Sequence, residues 1–227
     1  KPHSFLDDQS NRFVYVPHLG NDQIKQFLFN ETTGTLTPND PHIVYTKDGS
    51  GPRHFDFSPN NKFVYVSNEL DGTVYSYEMN NKTGILTEIQ RISVFPPPNK
   101  SFESSTSVVR NNMQGMAERE DHTVKVADIH ITPDAKWLYV SERATNKIIV
   151  FSIDENTNNL AYIGSYNTEK FPRGFNIDPN GNFVIAAGEK SDHVSVHAIN
   201  PETGELKLLD RYESGKDPNW IEIVELK

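Results

Sequence analysis

Hydrophobic and polar residues alternate along most of the chain in short runs, the period of a β-strand with one packed face. Thr73-Val74-Tyr75-Ser76-Tyr77 is one such run. No segment sustains the spacing of roughly 3.6 residues that marks an amphipathic helix, so the pattern predicts an all-β chain.

The runs repeat. Phe13-Val14-Tyr15-Val16, Phe63-Val64-Tyr65-Val66, Trp137-Leu138-Tyr139-Val140 and Phe183-Val184-Ile185-Ala186 share one pattern, each preceded by a short turn of residues such as Pro, Asn, Asp and Gly. The intervals between them are 50, 74 and 46 positions. Allowing for an insertion in the middle one, the period is roughly 46–50, and repeats of that length built of short strands mark β-propeller blades. In the second unit the pattern predicts strand a at His54–Phe57, b at Phe63–Ser67, c at Thr73–Met79 and d at Leu86–Val94. Between c and d, Asn81-Lys82-Thr83-Gly84 is echoed by Glu31-Thr32-Thr33-Gly34 and Pro201-Glu202-Thr203-Gly204. A Gly closes each of these loops, as expected where the backbone needs a positive φ.

The expected organisation is one propeller domain over residues 1–227, a partial ring with blades near 2–50, 51–125, 126–170 and 171–216. Residues 217–227 then supply a final strand, Pro218–Val224 repeating only strand a of a fifth unit. A polar insertion at 99–124 reads as a surface excursion between blades. An open arc would expose hydrophobic blade faces and unpaired edges. The missing blades are therefore expected from the rest of the polypeptide or from another chain.

Charge narrows the partners. With 22 Lys and Arg against 31 Asp and Glu the net charge is −9, which argues against nucleic acid or a membrane surface. An aromatic content of 11% excludes a disordered chain, and no apolar run approaches the ~18 residues of a membrane-spanning helix. Without cysteine there is no disulfide, thiolate metal site or cysteine nucleophile, which fits a reducing compartment and favours the cytoplasm. Sequons at Asn30, Asn81 and Asn99 leave a secreted location open. Nucleophile-elbow, zinc-protease, phosphate-loop and dinucleotide motifs are absent.

In a propeller blade strand a lines the channel and b runs antiparallel beside it, so the start of a and the end of b share one rim. Scaffold positions such as Phe63 and Tyr65 barely change between units, while these rim positions differ in each. They bring His3, Arg53, Glu69, Asp128, His130, Arg143 and Arg173 to one concave site. A bland reading stands beside each: Glu69–Arg143 can be a simple ion pair, and His130 a satisfied channel residue. His18, His42, His122, His193 and His197 read as surface, and Asp56 and Asp178 as turn-stabilising. Three converging arginines suit carboxylate or phosphate, so a small anionic substrate is expected.

Gly51-Pro52-Arg53-His54, Ser67-Asn68-Glu69-Leu70, Ala127-Asp128-Ile129-His130-Ile131-Thr132-Pro133-Asp134, Pro172-Arg173-Gly174-Phe175-Asn176 and Ala186-Ala187-Gly188-Glu189-Lys190-Ser191 resemble the seven-bladed lactonase family. That family contains the propeller-type 6-phosphogluconolactonase and the fungal carboxy-cis,cis-muconate cyclase, and the resemblance runs in order over essentially the whole chain. It implies that two to three N-terminal blades of the family's ring are absent from this sequence. It implies hydrolysis of a sugar lactone, first 6-phosphogluconolactone to 6-phosphogluconate, with muconate lactonisation as the alternative. The working set it implies is His3, Arg53, Glu69 and Arg143, with no metal or other cofactor; Arg173, Asp128 and His130 are assigned to substrate binding. The arginines would hold phosphate or a developing oxyanion, and Glu69 or His3 would activate water with a pKa near neutrality. A reading of another class keeps the propeller as a binding or adhesive surface.

Overall fold

The alternating runs become strands wherever a turn closes them against the next run. The structure, a computed structural model, describes residues 1–96 and 124–224; the expected excursion at 99–124 falls almost wholly outside the described residues. Four four-stranded antiparallel sheets follow one another along the chain. The first holds β1 (Leu6–Asp7), β2 (Phe13–His18), β3 (Gln23–Asn30) and β4 (Thr35–Tyr45), and the second β5 (Pro52–Phe57), β6 (Phe63–Asn68), β7 (Thr73–Met79) and β8 (Leu86–Ser93). The third holds β9 (Val126–Ile131), β10 (Trp137–Glu142), β11 (Lys147–Ile153) and β12 (Leu160–Asn167). The fourth holds β13 (Pro172–Ile177), β14 (Phe183–Gly188), β15 (His193–Ile199) and β16 (Leu206–Glu213). No helix occurs among the described residues.

The apolar face of each sheet is buried against its neighbour, so the cores lie between blades. Phe13, Tyr15 and Ile24 pack on Phe55, Val64 and Tyr77; Tyr65 and Val74 on Ile129, Leu138 and Phe151; Tyr139, Ile148 and Val150 on Phe175, Val184 and Ile199. This stacking of like units is the logic of a propeller.

One short polar residue stabilises each a–b turn by accepting the N–H that opens strand b. Asp8 Oδ1 accepts Phe13 N–H at 2.8 Å, Ser58 Oγ accepts Phe63 at 2.9 Å, Thr132 Oγ1 accepts Trp137 at 3.1 Å and Asp178 Oδ1 accepts Phe183 at 2.6 Å. Asp178 thus has the expected turn role. Asp56 does not: that task belongs to Ser58, and Asp56 Oδ2 accepts the Ile131 N–H of the third blade at 3.0 Å.

Two other expectations need correction. The first strand a is reduced to Leu6–Asp7 and a single bridge between Pro2 and His18. Pro17 stands in β2 where β6 has Ser67, and a proline has no N–H to donate across the ladder. The strand expected in residues 217–227 forms no ladder among the described residues. It runs along β13 instead, where Asn176 Nδ2 donates to Ile221 O at 3.3 Å. Strand a of a propeller pairs with strand b of its own blade, and among the described residues none lies beside this segment.

The c–d loop glycines do more than turn the chain. Gly84 and Gly204 have φ of +71° and +70°, and a Cβ at either would collide with the ring of Phe13 or Trp137 in the preceding blade. Tyr15 and Tyr139 donate their hydroxyls to the carbonyls of Gly84 and Gly204 at 2.6 and 2.9 Å. Gly34 has the same positive φ but open space around it. Gly34→Ala is therefore expected to cost only the backbone strain, about 1 kcal/mol, and Gly84→Ala about 2–4 kcal/mol because Phe13 must also move. Thermal denaturation of both variants checks this; equal losses would show that the interblade contact contributes nothing.

Candidate active site

Strands β5, β9 and β13 begin, and β6, β10 and β14 end, on one rim. The ladder register shifts between Pro52 and His54 and again between Pro172 and Gly174, so Arg53 and Arg173 each occupy the extra residue of a β-bulge. A bulge re-aims a side chain out of the alternation, which is how a rim arginine arises at the same place in two blades.

Arg53 is 1% exposed. Its Nε donates to Glu69 Oε2 at 2.8 Å and its Nη1 to Ala127 O at 3.0 Å. The other oxygen of Glu69 pairs with Arg143 Nη2 at 2.8 Å, so the expected Glu69–Arg143 contact exists with Arg53 as a third member. Arg143 is fixed further by Nε donating to Lys125 O at 3.1 Å. Two guanidiniums share one carboxylate, leaving one positive charge in excess, and Arg53 Nη2 and Arg143 Nη1 have no partner among the described residues. Burial, then the nearby Arg143 guanidinium, lowers the Arg53 pKa to about 10 despite Glu69. Burial raises the Glu69 carboxyl, but Arg143 and Arg53 outweigh it and hold it below the usual range.

His3 borders this group. Burial first, then the charges of Arg53 and His54, lowers its pKa to about 4, so the imidazole is neutral at pH 7. Its Nδ1 is buried without a partner among the described residues, leaving Nε2 as the accessible ring atom. Neither Glu69 nor His3 has the near-neutral pKa expected of a general base. Glu69 is held by two cations, whereas His3 is an uncharged acceptor.

Beneath the rim lies a second layer. Asp128, 3% exposed, accepts from His54 Nδ1 at 2.7 Å and Ile129 N–H at 3.1 Å through Oδ1, and from His130 Nε2 and Phe175 N–H, both at 3.3 Å, through Oδ2. Its oxygens are fully used, so Asp128 anchors two histidines where substrate binding was expected. His130 also approaches Asp56 at 3.7 Å. His54, whose ring centroid lies 5.4 Å from that of His3, was not among the expected site residues. Its signal was alternation: His54 and Asp56 share a face of β5, as Asp128 and His130 share one of β9. Arg173 stands apart, 42% exposed and 3.6 Å from Glu189, although Arg53 feels its charge. His197, expected at the surface, is buried beside Ser195 Oγ at 3.0 Å. Among the described residues no group of three or more His, Asp and Glu is arranged to hold a metal ion.

Consecutive four-stranded blades with an arginine-rich rim above a histidine–carboxylate layer define a β-propeller. The chain belongs to the family described as Lactonase, 7-bladed beta-propeller, whose signature matches residues 1–223. It is 38% identical over 224 residues to a 6-phosphogluconolactonase of Serratia proteamaculans, covering 98% of this chain and 61% of that one. It is 37% identical over 223 residues to that of Yersinia enterocolitica, covering 98% and 60%. The chain thus spans about three-fifths of the length of these curated relatives. Among solved structures, the periplasmic gluconolactonase of Pseudomonas aeruginosa superposes with a TM-score of 0.78 at 26% identity, covering 95% of this chain and 55% of that one. A Lactobacillus plantarum protein superposes at 0.81 with 25% identity, covering 99% and 58%.

Proposed function

We propose that the protein hydrolyses a sugar lactone, with 6-phosphogluconolactone as substrate and 6-phosphogluconate as product. The observation that carries this reading is the Arg53–Glu69–Arg143 group, a rigid pair of guanidiniums with two N–H-bearing atoms left unspent beside a neutral histidine. The names of the relatives at 37–38% identity support the substrate.

The lactone carbonyl oxygen lies between Arg53 Nη2 and Arg143 Nη1. As water adds to the carbonyl carbon, negative charge grows on that oxygen, and preorganised donors lower the barrier by meeting charge that the ground state lacks. His3 Nε2 accepts the proton of the attacking water and returns it to the ring oxygen as the ester C–O bond breaks. Glu69 holds both arginines in place.

The reading includes further blades, from the rest of the polypeptide or another chain. Phe183 is the counterpart of Phe13 and Trp137, which pack on the glycine loop of the next blade, yet it is 39% exposed. Leu208 and Tyr212 are exposed in the same blade. A next blade would bury these side chains at ~1.5–3 kcal/mol each.

The test is hydrolysis by the full polypeptide, followed as acid release. Turnover of 6-phosphogluconolactone is expected. A folded protein inert toward it and toward gluconolactone would overturn the reading, and turnover of a carboxymuconate alone would replace it.

A further inference from the structure

Phe171 has φ of +59°, a left-handed conformation that is a genuine outlier for a bulky residue. It is fixed there from both sides: Asn146 Oδ1 accepts its N–H at 2.8 Å, and its carbonyl accepts Glu189 N–H at 3.2 Å. The strained turn directs the ring to where three cations gather. Lys190 Nζ lies 4.0 Å from the ring centroid, the Arg143 guanidinium carbon 5.3 Å and Lys125 Nζ 5.9 Å.

An aromatic face compensates a cation only partly. Glu69 is shared by Arg53 and Arg143, while Glu189 stands 3.6 Å from Arg173, its buried Oε2 without a hydrogen-bond partner among the described residues. Glu142 accepts the backbone N–H groups of Lys125, Ala144 and Thr145 and the Thr145 hydroxyl at 2.6–3.0 Å. Neither lysine has an ion-pair partner among the described residues. Among the described residues, five cations (Arg53, Arg143, Arg173, Lys125, Lys190) therefore face three carboxylates (Glu69, Glu142, Glu189), Asp128 being taken up by His54 and His130, on a chain whose net charge is −9. A local excess of positive charge on an acidic protein calls for an anion.

We propose that Lys125 and Lys190, set around Phe171, form a phosphate subsite that makes the protein prefer a phosphorylated lactone over its unphosphorylated counterpart. This rests on the lactonase reading and extends it. Arg143 touches Glu69 on one side and the Phe171 ring on the other, so it links the carbonyl end of the site to the phosphate end. Mobile ammoniums suit a dianion approached from several sides, while the rigid arginine forks stay with the carbonyl.

Binding and turnover are measured separately on the full polypeptide. Calorimetric titration with inorganic phosphate and with 6-phosphogluconate is expected to show affinity falling about 10-fold in Lys190→Gln and further in Lys125→Gln/Lys190→Gln. The ratio of kcat/KM for 6-phosphogluconolactone over gluconolactone should fall by a similar factor. Lys190 is exposed and Lys125 half-buried, and a melting temperature confirms folding of each variant. Lysine-dependent phosphate binding without lactone turnover would sustain the subsite and overturn the hydrolase reading. Lactone turnover with an unchanged ratio in the double variant would overturn the subsite.

Discussion

Glu69→Gln is expected to reduce kcat/KM for the lactone by about 10²–10⁴-fold, the scale of losing a preorganised oxyanion or proton-transfer group. Glu69 need not touch the reacting atoms for this to hold. It is the common acceptor that spaces Arg53 and Arg143, each at 2.8 Å. An amide in its place offers one acceptor oxygen and turns an N–H₂ toward a guanidinium. Arg53, buried at 1% exposure, then loses its compensating charge, which costs about 3–5 kcal/mol of stability when a buried pair is broken. Because the variant can fail by unfolding, Arg143→Lys is the companion. It keeps the charge but cannot reach Glu69 and the Lys125 and Val126 carbonyls together. A further sign concerns pH. Glu69 raises the His3 pKa, whereas burial, Arg53 and His54 lower it to about 4. Removing the Glu69 charge should move the acid limb of kcat/KM, expected near pH 4, still lower. A folded Glu69→Gln enzyme with undiminished kcat/KM would remove Glu69 from the site.

The fold was legible because its determinants are local and repeated. Alternation located the strands of the second blade to within about two residues, and the Gly of each Thr-Gly loop does adopt a positive φ. The rim arginines and Glu69 were legible for the same reason, since like positions in like blades must share a rim. What escaped depended on phase and neighbours. Asp56 looked like a turn residue because it lies close to Pro59, and only the ladder shows that Ser58 takes that role. His197 looked superficial because the buried face of its strand is decided by packing against the third blade. Pro17 shortened the first strand by removing a donor, a local effect visible in the sequence. Phe171 was invisible, because nothing in composition marks an aromatic residue for a left-handed turn.

Asp128→Asn is expected to destabilise the protein by about 3–5 kcal/mol, as much as breaking the Glu69 pairs. The carboxylate joins three blades at the channel wall: His54 from β5, its own β9, and the Phe175 N–H of β13. The amide presents a donor where two histidines and two backbone N–H groups need acceptors. The pH dependence carries a sign of its own. Burial lowers the His130 pKa, but Asp128 and Asp56 outweigh it and raise the value well above 6.5, so His130 is charged at neutrality. Its contribution is complete below pH ~6.5, the unfolded value, and is lost as pH climbs through the raised native pKa. Burial pushes the Asp128 pKa up, but His130 and His54 depress it overall; its contribution is complete above pH ~4 and is lost in acid. The stabilising window of the pair therefore lies at about pH 4–6.5, with an alkaline decline that the Asn variant should flatten because its histidines have lost their shared anion. Urea unfolding midpoints between pH 5 and 9 measure both effects. A variant with the parent midpoint at pH 6, or with the parent's alkaline slope, would show that Asp128 does not hold the blades together.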